Sequence, residues 1–273
     1  MIHIRGVNYM EYGTMSIKEI RKYIAGLDLE NIDIAFVCNS LKIDKRKSVN
    51  EIGEKLSSKI CKWENEKSRL QAMYSYENNL YRNGVSFIAG IDEVGRGPLS
   101  GPVVSAAVVL PAHCQLKGLN DSKKLSEKKR NRLYHEIMLN AIDVSIGMAS
   151  PNEIDAINIL NATKLSMKRA VDALKYKADH LLIDALKLDD IEIEQTAIIK
   201  GDEKSASIAA ASIIAKVTRD YIMVEMSRYF KVYGFERNKG YGTAEHIEAL
   251  KKYGPVHIHR RSFINGIVGG GKR

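Results

Sequence analysis

Four acidic residues stand where they could work on one substrate. In "FIAGIDEVGRGPLSGPVVSAAVVLP", residues 87–111, Asp92 and Glu93 follow an apolar run and precede a glycine-flanked arginine. Asp184 ends the apolar "HLLIDA", and Asp202 closes the alternating "IEIEQTAIIKGD". Strand ends of an α/β sheet are where ligand sites gather, because the loops there converge above neighbouring strands. Four carboxylates meeting at such a place repel one another unless something positive joins them. A hard divalent cation, Mg²⁺ or Mn²⁺, prefers such oxygen donors. The chemistry that fits is attack of water on phosphorus, with metal ions stabilising the entering and leaving oxygens. Taken singly, each acid reads better as a strand-end turn or a helix cap, and it is the four together that favour the metal site. Asp202, in "GDEKSAS", has the look of an N-terminal cap, and Asp220 reads as a helix-surface residue beside Arg219.

Glycines on both sides of Arg96, at Gly95 and Gly97, permit positive φ and close approach of backbone amides to a sugar-phosphate, though they also make an ordinary turn. No GxxxxGK[ST] loop occurs, and the GxG of "KGYGTAEH" does not extend to GxGxxG, so an NTPase or dinucleotide reading has no anchor. Four further features suit nucleic acid. Lys123 and Lys124 in "DSKKL" precede a basic helix. Ser212 and Lys216 lie four apart on one helix face. Tyr241 sits between glycines, and "HIHRRSF" brings His257, His259, Arg260 and Arg261 together. Lysines hold phosphates without reading sequence, and a tyrosine can stack on a sugar or base. The bland counterparts are a packed aromatic and surface histidines, which are not spaced as in HExxH.

These residues need elements to position them. From Val85 the chain runs as strands, "VSFIAGID" and "PVVSAAVVLP", then a helix opened by Ser126 as N-cap. A strand "VSIGMAS", an amphipathic helix "PNEIDAINILNATKLSMKRAVDAL", the two strands ending at Asp184 and Asp202, a long small-residue helix "SASIAAASIIAKVTRDYIMVEMSRYF" and a short helix near "TAEHIEALKKY" follow. Clustered strands that then alternate with helices predict an α/β fold with a mixed sheet. Upstream, residues 16–82 read as helical, with an irregular "LDLENIDIAFVCNSLKIDKRKS" between helices and "DKRK" as a solvated turn. The expected organisation is a helical N-terminal extension over 1–83, a catalytic domain over 84–268 and a flexible tail over 269–273.

Composition sets the frame. The 273 residues, 45% hydrophobic, suffice for a buried core, and 42 Lys+Arg against 33 Asp+Glu give a net charge of +9 that favours a polyanionic partner. Three cysteines without CxxC spacing argue for neither a disulfide framework nor a zinc site, and point to a reducing cytoplasm. No secretory h-region or membrane-spanning run is seen, and no heptad or apolar stripe asks for more than a monomer.

Together "GIDEVGRGPLSGPVV", "NDSKKL", "LLIDA", "KGDEKSASIAAASIIAKVTRD", "NKGYGTAEH" and "HRRSF", in this order over residues 87 to about 265, resemble ribonuclease HII. The resemblance implies an RNase H-like fold, a mixed five-stranded sheet flanked by helices. It implies a Mn²⁺- or Mg²⁺-dependent endonuclease that hydrolyses the RNA strand of RNA–DNA hybrids. It also implies incision on the 5′ side of single ribonucleotides in duplex DNA, leaving 3′-hydroxyl and 5′-phosphate ends, as in ribonucleotide repair and primer removal. Position by position, Asp92, Glu93, Asp184 and Asp202 become the metal-site acids, Gly95–Arg96–Gly97 the reader of the 2′-OH and Tyr241 the stacking residue. Lys123, Lys124, Ser212 and Lys216 are further candidates for substrate contact. Longer members of the family carry a similar N-terminal extension, while the short tail after Phe263 argues against the extra C-terminal helix that some members use against substrate. Two other readings stay open on sequence: a catalytically silent binding module, and another two-metal nuclease on the same fold, such as a resolvase.

Overall fold

The computed structural model describes residues 12–29, 34–112 and 114–268. The chain divides into two compact units, residues 1–69 and 70–273. The first holds α1 (Ile17–Ala25), α2 (Ile34–Lys42) and most of α3 (Lys47–Met73). Ser16 opens α1 with a reciprocal capping box to Glu19. Ile20, Val37, Cys38, Leu41, Val49 and Leu56 form the buried core of this unit. Segment 34–42, expected to be irregular, is thus a helix. Its apolar residues Ile34, Val37, Cys38 and Leu41 recur at helical spacing and are buried together, a stripe that the polar flanks obscure in the sequence. In "DKRK", Arg46 pairs with Asp44 at 2.7 Å and donates to the carbonyls of Tyr12 and Met15, so part of that turn ties the unit together.

The division falls within α3, upstream of residue 83, because α4 (Ser75–Arg82) builds into the second unit. Leu80 and Tyr81 pack on the cluster of Ile88, Leu182, Ile198 and Ile208. Glu77, only 3% exposed, accepts hydrogen bonds on Oε1 from Ser205 Oγ at 2.6 Å, Ser207 N at 2.9 Å and Ser207 Oγ at 2.6 Å. A carboxylate is well suited to this place, where helix amides point outward without partners.

Next come β1 (Ile88–Val94), β2 (Val103–Val109), α5 (Glu127–Asn140), β3 (Asp143–Ala149), α6 (Pro151–Asp172), β4 (His180–Asp184) and β5 (Glu194–Ile198). They are followed by α7 (Gly201–Lys204), α8 (Ala206–Tyr229), α9 (Phe235–Asn238), α10 (Ala244–Tyr253) and α11 (Arg261–Val268). The sheet order is β3-β2-β1-β4-β5, antiparallel from β3 to β1 and parallel from β1 to β5. The mixed five-stranded sheet flanked by helices is therefore present. α11 adds a helix that the sequence reading, which ended the fold at "HIHRRSF", did not expect.

Pleat alternation sorts β1 between two cores. Ala89 and Ile91 join Met167, Ala170 and Val171 of α6. Ile88 and Gly90 face α8, and the backbones there are so close that a Cβ at Gly90 would lie 2.0 Å from the carbonyl carbon of Ser207. The alanine-rich stretch of α8 lies against Ala106 and Val108 of β2, small side chains allowing a close helix-on-sheet approach. α6 departs from the single helix expected: it breaks at Asn158, at φ 66° and ψ 167°, whose Oδ1 then accepts from Asn161 N at 3.1 Å and opens the second part. Asp202 also departs from expectation, since β5 ends at Ile198 and the acid lies in the first turn of α7.

Candidate active site

Asp92 and Glu93 lie near the C-terminal end of β1, Asp184 ends the adjacent parallel β4, and α7 carries Asp202 past the end of β5. Asp92 is 4% exposed, and its Oδ1 accepts the Glu93 amide at 2.7 Å. Ser212 of α8 also bonds its carboxylate, and the Ser212 hydroxyl lies 2.9 Å from that of Ser122. Glu93 turns to the other side of the strand, where Oε1 accepts from Arg96 at 3.3 Å; Oε2 is buried with no protein partner. Asp184 Oδ1 accepts the Gly201 amide at 2.7 Å, tying the end of β4 to the start of α7.

The electrostatics carry the mark of like charges brought together. Burial pushes the Asp92 carboxyl well up, and the charges of Glu93 and Asp184 add to it. Burial also raises Glu93, against the pull of Arg96. Asp202 is pushed up to about 6 by burial and by the charges of Asp121 and Asp184. Burial pulls the Lys123 ammonium down, but Asp92, Asp202, Asp121 and Glu93 together carry it above its ordinary value. The charge of Asp184 thus bears on Asp92, Glu93 and Asp202 alike, with Lys123 as the nearby cation. Among the described residues no three Asp, Glu, His or Cys side chains already converge around a single ion position. Their donors are nonetheless hard oxygens of mutually repelling carboxylates, and Glu93 Oε2 is a buried acceptor without a donor, so the set fits a divalent cation.

The ribose-reading candidates form the adjoining surface. Gly95 adopts φ +95°, and a side chain there would collide with Arg219 Nε at 2.3 Å. Arg96 and Gly97 are exposed, and a Cβ at Gly97 would touch the Tyr241 ring at 4.0 Å. Tyr241 is 42% exposed, with the Arg219 guanidinium 5.9 Å from its ring centre. Through the Glu93–Arg96 pair on one side and the Gly97–Tyr241 approach on the other, acids and loop become one continuous feature.

Other candidates lie differently. Ser212, expected at the substrate, is 3% exposed and enclosed between Ser122 and Asp92, so it supports the acid and offers no surface to a duplex. Lys124 pairs with Glu203 at 2.9 Å and Lys216 with Asp220 at 2.7 Å. Asp220, read as a surface residue, is half-enclosed between Lys216 and Arg130. The "HIHRRSF" segment splits. His259 and Arg260 are buried, at 2% and 0% exposed, while Arg261 is exposed. Val256 N donates to His259 Nδ1 at 3.0 Å, the two Nε2 atoms of His259 and His246 lie 3.0 Å apart, and His246 Nδ1 reaches the Tyr241 carbonyl at 2.9 Å. His259 Nδ1 also lies 3.2 Å from the Val256 carbonyl, and burial together with His246 holds His259 down to about 4.

Sequence reasoning missed Asp121, Arg219 and His246, and read Arg260 as one of a group suited to nucleic acid when it is buried. Asp121 is 7% exposed and shares a side-chain hydrogen bond with Asp202. The signal was present, since Asp121 begins "DSKKL", but the lysines behind it drew the interpretation.

The ribonuclease HII family model matches residues 89–266, and the ribonuclease HII N-terminal domain model matches residues 16–81. The chain is 54% identical over 256 residues to a ribonuclease HII of Acetivibrio thermocellus, covering 94% of this chain and 99% of the relative. It is 47% identical over 253 residues to that of Clostridioides difficile, covering 93% and 98%. Among solved structures, the ribonuclease H2 of Pyrococcus horikoshii OT3 superimposes with a TM-score of 0.57 at 28% identity, over 67% of this chain and 97% of the other. A Bst-RNase HIII in complex with Mn²⁺ superimposes at 0.53 and 22% identity, over 66% and 68%, a likeness of fold. Among the described residues no helix is long and apolar enough to cross a membrane. Fold, motif order and similarity along nearly the whole chain agree that this protein belongs to the ribonuclease HII family of metal-dependent endonucleases.

Proposed function

We propose that the chain hydrolyses the RNA strand of RNA–DNA hybrids and cuts on the 5′ side of a single ribonucleotide embedded in duplex DNA, leaving 3′-hydroxyl and 5′-phosphate ends. Asp92, Glu93, Asp184 and Asp202 are the residues that would hold Mg²⁺ or Mn²⁺, with Glu93 Oε2 a buried oxygen still without a donor. When bound, such ions activate water and offset charge on the leaving oxygen. The chain's own residues do the choosing. Backbone amides of Gly95–Gly97 meet the ribose 2′-OH, the group that separates RNA from DNA locally. The half-exposed Tyr241 ring stacks beside them on the next sugar, and Lys123 stands between acids and duplex to hold a phosphate. Ser122 and Ser212 keep Asp92 turned toward the reacting edge.

The observation that carries this reading is the continuity from Glu93 through Arg96 and Gly97 to Tyr241, which supports a loop next to the carboxylates as the reader of the hydroxyl. The test is a labelled DNA duplex with one ribonucleotide, incubated with Mn²⁺ and with Mg²⁺ beside an all-DNA control. Cutting of the ribonucleotide strand alone is expected, with Asp92→Asn binding the duplex but not cutting it. Both duplexes remaining intact would overturn the proposal; equal cutting of branched DNA lacking ribonucleotides would shift it to a resolvase.

A further inference from the structure

Two guanidinium groups lie buried behind the glycine loop, each residue 0% exposed. Arg219 comes from α8 and Arg260 from the segment before α11. Arg219 donates from Nε to the Pro102 carbonyl at 3.0 Å, from Nη1 to Lys239 at 2.9 Å and from Nη2 to Ser100 at 3.0 Å. Arg260 donates from Nε to Gly101 at 3.0 Å, from Nη1 to Arg96 at 2.9 Å and from Nη2 to Gly95. Five of the six acceptors belong to residues 95–102. The carboxylates that bear on this pair are engaged elsewhere: Asp220 with Lys216 and Arg130, Asp155 with the amides of Arg261 and Ser262.

These bonds have a geometric consequence. The peptide bonds are trans, so each carbonyl points opposite to the amide N–H that follows it. With the Gly95 and Arg96 carbonyls drawn inward to Arg260, the N–H groups of Arg96 and Gly97 are turned outward. Among the described residues neither donates to another protein group. Arg219 meanwhile lies behind the Tyr241 ring and holds the Lys239 carbonyl two residues before it.

We infer that Arg219 and Arg260 are positioning residues for ribose selection: a buried pair of forks that fixes the outward amides of Arg96 and Gly97 and the Tyr241 ring against one another. The inference rests on the proposed reading of the 2′-OH. A fork of five N–H donors in one plane suits this task, and a lysine ammonium, a point charge with three donors, cannot span three carbonyls.

The test compares kcat/KM for a duplex carrying one ribonucleotide with that for the same duplex carrying its 2′-fluoro analogue, which is close in size but offers the outward amides only a very weak acceptor in place of the hydroxyl oxygen. For Arg260→Lys and Arg219→Lys, the preference for ribose is expected to fall about tenfold to a hundredfold, the range that losing charge-assisted hydrogen bonds implies. Mn²⁺ binding by calorimetry should match wild type. If both substrates decline together and the preference is unchanged, the arginines merely hold the fold and the inference fails. A wild-type enzyme that cuts both duplexes equally would instead remove the 2′-OH reading itself. Hydrogen exchange on the wild-type protein does not depend on a variant folding. The amides of Leu99 and Gly101, bonded to the carbonyls of Gly240 and Ile258 at 2.8 Å each, should exchange slowly without substrate. Fast exchange that slows only with duplex present would show a loop ordered by substrate and overturn the inference.

Discussion

Two clusters of buried like charge flank the end of β1, one negative and one positive, and they are treated in opposite ways. Burial and the charges of neighbouring carboxylates, Asp184 among them, push Asp92, Glu93 and Asp202 upward, and one oxygen of Glu93 has no donor. Arg219 and Arg260 are more deeply buried than the acids, yet each places three donors on carbonyls. Burial and the Arg219 charge hold Arg260 down to about 9, which still leaves it charged at neutral pH. A charge cluster satisfied from within is architecture. One left short of partners is held ready for something from outside.

Exchanging a charge in each cluster sharpens this contrast. Asp92→Asn should lower kcat on the ribonucleotide duplex by about a thousandfold or more, in the range for removing a central electrostatic element of a site, while the melting temperature holds or rises because a repulsion is gone. Arg260→Ala is the mirror image: it strips three carbonyls and leaves a cavity, so chemical denaturation should show a loss of about 3–5 kcal/mol. Equal loss of stability in the two variants would erase the distinction.

The histidine pair beside Arg260 differs from both clusters, because burial favours its neutral form. His259 is held down to about 4, below its ordinary value near 6.5, so the unfolded chain takes up a proton that the folded chain refuses. Its contribution is therefore complete above pH 6.5 and is lost as pH falls toward 4, by about 3 kcal/mol. Urea titrations across that window should show the slope, and His259→Gln should flatten it. The smallest effect concerns Ser212→Ala, which removes one hydroxyl from Asp92: about tenfold in kcat with KM little changed.

The negative cluster was legible in the sequence, and the positive one was not. An acid at the end of an apolar run is conspicuous because sheets rarely tolerate it, so Asp92 and Asp184 stood out. An arginine in a chain of net charge +9 looks like surface, and nothing in "KVTRDY" or "HRRSF" reveals that its partners are carbonyls 117 and 165 residues distant. Asp121 was hidden by its lysine neighbours, and Ser212 was read outward when its helix face turns inward. The break at Asn158 depends on one side chain capping a helix already begun, a choice local propensity does not decide.

The reach of Arg260 also sets an order in time. Its donors meet Gly95, 165 residues earlier in the chain. At about 5–20 residues per second of synthesis, roughly 10–30 s separate the two on the ribosome. The strands that carry Asp92 and Asp184 can pair within that interval, and the loop beside them gains its second anchor only afterwards. Within the unit 70–273 the loop of residues 95–102 therefore cannot gain its Arg260 anchor until nearly the whole of that unit has been made.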